Sequence, residues 1–274
     1  MDVFSPNVNI NHIIIDGNRD ARRFSNSWNE CLNNEDNRGN AVNARINNVD
    51  NATFEYSASI QALCASGFQW MSDYCTIANS YFANNGNHAD GRWSDGLTLL
   101  TCKNGHVRDL HFLDNTDVNL VCGCGAGFLV ENIHIQHINA ASFAGFMFDN
   151  FDNSQCGDYR GGVARNITVD CNNYQCDFGA NFGPHPWYAS SNILGGSVSY
   201  LTVSGAKQGV NCAGAGTTAA PLSLSHITVV GNVSFVNKFQ CGWHLASDFN
   251  IDPDSVVDTF ACPPNTSFVW KSCP

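Results

Sequence analysis

Positive charge is scarce in this chain: 13 lysines and arginines stand against 24 aspartates and glutamates in 274 residues, a formal charge of -11. Nucleic acid and anionic lipid surfaces draw affinity from clustered cations, so neither is expected as a partner. Long apolar runs are missing as well. None approaches the roughly 18 to 20 residues that span a bilayer, and the opening MDVFSPNVNI carries neither a basic nor an apolar leader segment. Helical periodicity is lacking, which turns attention to strands. No CxxC occurs, and Cys122-Gly-Cys124 has no second pair to match it, so no metal site of the zinc type is expected.

Cysteine itself is abundant, at 13 residues. With Asn-x-Ser/Thr sequons at Asn51, Asn166, Asn232 and Asn265, this composition fits a secreted, glycosylated protein whose signal peptide has been removed. Cys171 with Cys176, and Cys262 with Cys273, are spaced to close short loops. Cys122, Cys124 and Cys212 lie in strand-like runs and read as buried thiols. The odd total leaves at least one cysteine outside intramolecular pairs.

One β-rich segment recurs: NINHIIIDGN (9 to 18), TIANSYFANN (76 to 85), HVRDLHFLDN (106 to 115), LVENIHIQHI (129 to 138), ARNITVDCNN (164 to 173), SYLTVSGAK (199 to 207) and LSHITVVGN (224 to 232). A second family alternates with it: SGFQW (66 to 70), DGLTL (95 to 99), DVNLV (117 to 121), AGFMF (144 to 148), FGANF (178 to 182), QGVNC (208 to 212) and CGWHL (241 to 245). Aligning the first family on Ser80, Leu110, Ile133, Ile167, Leu201 and Ile227 gives spacings of 30, 23, 34, 34 and 26. Fixed strands with insertions of free length mark a coil of stacked turns. The expected fold is all-β, a right-handed parallel β-helix of about seven rungs. A single domain covers 1 to 274, with repeats from about 7 to 247 and a Cys- and Pro-containing cap over about 248 to 274. Leu97, Leu99, Phe112, Ile133, Ile135, Phe146, Phe148, Ile167, Val169, Leu201, Val203, Ile227 and Val229 should point inward. Asn79, Asn132 and Asn166, with Asn84, Asn115, Asn172 and Asn232 at the turns, should form stacked amide ladders. The first repeat has no visible cap, so a preceding segment or a partner is expected to cover that end, leaving a monomer or an end-capped oligomer.

This repeat architecture resembles the pectate-lyase-like superfamily of β-helix proteins, over about residues 7 to 247. The resemblance implies a carbohydrate-active protein. Within the second strand family, an alignment on Gly67, Gly96, Gly145, Gly179 and Gly209, with Val118 in that place in its own rung, puts Asp95 and Asp117 in one column. Neighbouring strands lie about 4.7 to 4.9 Å apart, so the two carboxyls would be within reach of each other. Two close carboxylates split their pKa values into an acid and a base, as glycosidic cleavage requires. The competing expectation is that each aspartate caps its turn. The triplet Asn115-Thr116-Asp117 resembles the NTD motif of polygalacturonases, whose aspartate is catalytic. No DD pair, GHG or RIK accompanies it here.

The stretch FMFDNFDNSQCGDYRGG (146 to 162) adds Asp149, Asp152 and Asp158, and NYQCDFGANFGPHPWYASS (173 to 191) adds Asp177, His185, Trp187 and Tyr188. Insertions of this kind form the walls of a groove. Asp95, Asp117, Asp149 and His185 are the catalytic candidates. Arg92, Trp93, Asp152, Asp158, Asp177, Trp187 and Tyr188 are the substrate-binding ones, and Trp70 and Trp243 are assigned to the core or an end cap. No resident cofactor is expected. Ca²⁺ on the acidic insertion is the one metal considered, and chelation between His111 and His134 is a minor option. The leading function is a secreted glycoside hydrolase acting on a polysaccharide or oligosaccharide. A lyase or uronate epimerase is the runner-up, disfavoured because only Arg92, Lys103, Arg160 and Lys207 lie near the groove. A non-catalytic glycan-binding or structural module is the alternative from another class.

Overall fold

The computed structural model describes residues 1–22, 31, 42–123, 125–149, 157–183, 194–212, 216–217, 220–231, 237–239, 243–251 and 257–259. The chain is nearly all β, and its strands form two long sheets. One has ten strands: Asp2–Val3, Ala44–Asn47, Ala65–Met71, Ser94–Thr101, Val118–Cys122, Ser142–Phe148, Cys176–Phe182, Gln208–Cys212, Asn237–Phe239 and Val257–Thr259. The other, of twelve strands, is built on Thr76–Ala83, His106–Leu113, Leu129–Gln136, Val163–Asp170, Ser197–Ser204 and Ala220–Val230. The chain visits the two sheets alternately, and among the described residues the strands pair in parallel except in a short hairpin, Gly216–Thr217 against Ala220–Val230. This is compatible with a solenoid-like fold.

The column of Ser80, Leu110, Ile133, Ile167, Leu201 and Ile227 is the observed register of the second sheet. The local cause is a bend. Asn79, Asp109, Asn132, Asn166, Tyr200 and His226 each adopt φ between 50° and 56°. A left-handed residue at the same place in every strand shifts the inward parity, so residues two before it and one and three after it all face inward. Val107, Leu110 and Phe112 around Asp109 show the pattern. Asn and Asp tolerate this conformation better than most residues. Their side chains form a ladder outside: Asn132 Nδ2 donates to Asp109 Oδ1 at 2.9 Å and Asn166 Nδ2 to Asn132 Oδ1 at 3.2 Å. Tyr200 and His226 continue the column as a ring stack at 4.4 Å.

Each residue expected to point inward is at most 2% exposed. They share one core with Phe54, Phe68, Trp70, Phe82, Phe182 and Tyr159. Asn115 joins a stack of amides, with Asn85 and not Asn84 as its neighbour. It lies inside, taking a hydrogen bond from Asn85 Nδ2 at 2.7 Å and donating to Asn119 Oδ1 at 3.0 Å. Disulfides join Cys31 to Cys64, Cys75 to Cys102 and Cys171 to Cys176, which suits an oxidising, extracellular setting. Cys122 and Cys212 are buried free thiols.

The repeat extends further than the sequence pattern indicated. Thr53–Glu55 with Ala58–Ile60 forms an additional turn of the second sheet, and Trp243–Ile251 pairs with Ala220–Val230 in that same sheet. CGWHL therefore does not belong to the first-sheet family, where Asn237–Phe239 takes the place instead. Val257–Thr259 still pairs in the first sheet, inside the segment assigned to a cap. Cys262 and Cys273 lie outside the described residues.

Candidate functional site on the outer face of the first sheet

Leu97, Leu99, Phe146 and Phe148 fill the interior of the first sheet, whereas Val118, Val121, Ala144 and Met147 form a separate cluster that marks the residues of its outer face. In strand order these are Ser66, Asp95, Val118, Ala144, Phe178 and Gln208, and beside them Gln69, Thr98, Val121, Met147, Asn181 and Asn211. The face is graded. Hydroxyls and a carboxylate occupy one part, a packed apolar strip of Val118, Val121, Ala144 and Met147 the middle, and amides the other. Phe143 joins the strip, and Trp93 and Phe178 pack against it.

Asp95 and Asp117 lie at the heads of neighbouring strands but not in one column of the register. Leu97 is set against Leu120 and Thr98 against Val121, so Val118 and not Asp117 faces Asp95. Asn119 takes the place that Gly96 and Gly145 hold in their strands. At Gly145 a Cβ would meet Val169 Cγ1 at 2.4 Å, whereas the Asn119 amide turns toward His137 Nε2 at 2.8 Å. Asp117 thus sits one residue earlier, at the strand head, where its amide donates to Ser94 O and its carbonyl accepts from Phe143 and Ala144. A shift of one residue in a strand sends the side chain to the other face.

Asp95 is held by two donors. Thr98 Oγ1 donates to Oδ2 at 2.6 Å, and the Val118 amide donates to Oδ1 at 3.1 Å. Thr98 Oγ1 is also 2.8 Å from Ser66 Oγ, which links three polar side chains across two strands. The carboxylate that couples to Asp95 is Asp149, at the end of Ser142–Phe148. Asp149 is 1% exposed, and its Oδ1 has no hydrogen-bond partner among the described residues. Burial, and then the charge of Asp95, push its carboxyl well above the usual range. Asp149 and Asp95 are thus electrostatically coupled, with the pKa of Asp149 raised.

Trp93 stacks on His88 at 4.3 Å. Arg92 is buried and donates to Asp90 O. Asp158 is paired with Arg160 at 2.7 Å and Asp177 with Lys207 at 2.6 Å. Asp152, His185, Trp187 and Tyr188 lie outside the described residues. His111 and His134 stack at 4.8 Å with ring planes 5° apart, so their in-plane lone pairs run parallel and cannot converge on one metal ion. Sequence reasoning missed Ser66 and Thr98, and also a buried network around His137. His137 Nδ1 lies 2.8 Å from Ala140 O, and Nε2 lies within hydrogen-bond reach of Asn119 Nδ2 and Ser142 Oγ. The amides of Ile138, Asn139 and Ala140 all donate to Asp114 Oδ1. His137 is fully buried, and burial lowers its pKa. This network is a turn fastener, with every polar atom used inside the protein. Comparison with protein-family models, with characterised proteins and with solved structures returns no match for this chain.

Proposed function

We propose that the chain is a right-handed parallel β-helix of the pectate-lyase-like kind, secreted, that hydrolyses a polysaccharide or oligosaccharide on the outer face of its first sheet. The observation that carries this reading is Asp149, a buried carboxyl in the field of Asp95 whose Oδ1 has no hydrogen-bond partner among the described residues. Glycoside hydrolysis needs a proton for the departing oxygen and an anion at the sugar ring. Asp149, its pKa raised by burial and by Asp95, supplies the acid. Asp95, oriented by Thr98 and Val118, supplies the anion, either activating water or attacking the anomeric carbon. Trp93 and Phe178, the partly exposed rings packed on the buried apolar strip, offer a surface for the C–H faces of sugar rings. A lyase or epimerase is less well supported, because Arg160 and Lys207 are each committed to an aspartate.

A second reading rests on the Asp95 hydrogen bond to the Val118 amide, which fastens one strand to the next. On this reading Trp93 and Phe178, partly exposed over the strip, form a glycan-binding platform and no bond is cleaved. The deciding experiment is a polysaccharide panel assayed for new reducing ends and for the ultraviolet absorbance of unsaturated uronates, with Asp149→Asn and Asp95→Asn as controls. Reducing ends alone, abolished in both variants, support hydrolysis. Ultraviolet absorbance supports a lyase, and neither signal supports the binding module.

A further inference from the structure

Beside this face, at the strand heads, a cleft of about 480 Å³ is lined by residues from successive turns: His88 ahead of Ser94–Thr101, Thr116 ahead of Val118–Cys122, and Gln175 ahead of Cys176–Phe182, with Arg19, Asn84 and Asp114. Its volume falls in the range of about 300 to 1,000 Å³ typical of ligand sites. The charged groups in it are already engaged. Arg19 donates from Nη1 to the carbonyls of Asn84 and Gly86 and from Nε to Asp20. Asp114 accepts from the amides of residues 138 to 140. Thr116 Oγ1 donates to Asn85 O and accepts from the Ser94 amide.

The side chains of Asn84, His88 and Gln175 differ, since none makes a hydrogen bond to a described residue. Two amides and an imidazole can each donate and accept, which matches the hydroxyls of a neutral sugar and suits a charged group poorly. His88 also leads out of the cleft, because it stacks on Trp93, which packs on the apolar strip beside Asp95. We infer that this cleft is a binding subsite for a neutral, hydroxyl-rich glycan chain, holding sugar units next to the Asp95 and Asp149 face. The inference rests on the proposed function for its ligand class.

Isothermal titration of the wild-type chain and of Asp149→Asn with cello-, xylo-, manno-, arabino- and galacto-tetraose tests it, with tetragalacturonate as the charged comparator. At least one neutral tetrasaccharide should bind both proteins. His88→Ala, Gln175→Ala and the volume-conserving Gln175→Leu should each weaken it about tenfold, the effect of losing one good hydrogen bond, with thermal unfolding unchanged. The cleft is overturned if no neutral probe binds, if tetragalacturonate binds more tightly than every neutral probe, or if folded variants keep wild-type affinity. Cleavage is read on the same samples. Binding without cleavage keeps the subsite and removes the hydrolase, whereas cleavage with unchanged affinity in the folded variants keeps the hydrolase and removes the subsite.

Discussion

Replacing Asp149 with asparagine keeps the shape of a buried side chain and removes its proton equilibrium. In the wild-type chain burial and Asp95 raise this carboxyl well above 3.8, so between the unfolded value and the raised one the folded state holds a proton that the unfolded state has lost. The stability contributed by the group is complete below about pH 3.8 and is lost as pH rises through that window, at roughly 1.4 kcal/mol per pH unit. Asparagine has no such slope. Asp149→Asn should therefore gain on the wild type as pH rises above about 3.8, from a starting point set back by about 1 kcal/mol for an unpartnered amide N–H. In a chain of this length each kcal/mol moves Tm by roughly 2 to 4 °C. Urea unfolding followed by tryptophan fluorescence from pH 4 to pH 8 measures the difference directly. A stability difference that does not vary with pH would refute the reasoning, because a permanently ionised or ordinarily titrating Asp149 leaves no pH-dependent gap.

Asp95→Asn should lose about 1 to 2 kcal/mol by disturbing the Thr98 and Val118 hydrogen bonds. It should also move the Asp149 window to lower pH, read as a shift in the pH at which the Asp149→Asn advantage appears. Phe112→Ala, in the core stack with Phe82 at 5.1 Å, should cost about 3 to 5 kcal/mol in urea unfolding. His137 is buried neutral with a lowered pKa, so stability should fall as pH drops below about 6.5, the unfolded value. His137→Gln should flatten that acid-side slope in the same titrations. Cys75→Ala with Cys102→Ala opens a link spanning 27 residues and should lower stability by about 2 to 4 kcal/mol while raising the free thiol count on Ellman titration by none.

The fold was legible wherever alternation and the bend residue coincided. Leu110, Ile133, Ile167, Leu201 and Ile227 each follow a left-handed Asp, Asn, Tyr or His by one residue, and that local rule set the register before any long-range contact was considered. The turn at residues 53 to 60 escaped notice because its bend falls on Tyr56 and its exit on Gln61, without the expected Asn or Gly. The site was legible only in part. Asp95 and Asp149 were both among the candidates and are electrostatically coupled, but Asp117 was matched to Asp95 because DGLTL and DVNLV look alike. Asn119 stands in a glycine's place in the second of them, and only its bonds to Asn115 and His137 reveal this. The coupling of Asp95 to Asp149 joins the head of one strand to the end of another two positions away in the sheet, a relation set by packing that no spacing in the chain records.

The central claim is that Asp149 titrates well above the ordinary aspartate range because it is buried beside the charge of Asp95. Carbon-13 NMR of aspartate side-chain carboxyls, with the Asp149 signal assigned by its loss in Asp149→Asn, reads this without any substrate. The account predicts that the signal titrates well above the ordinary aspartate range, and that Asp95→Asn moves its midpoint downward. A midpoint near 3.8, or a raised midpoint indifferent to Asp95, would contradict it.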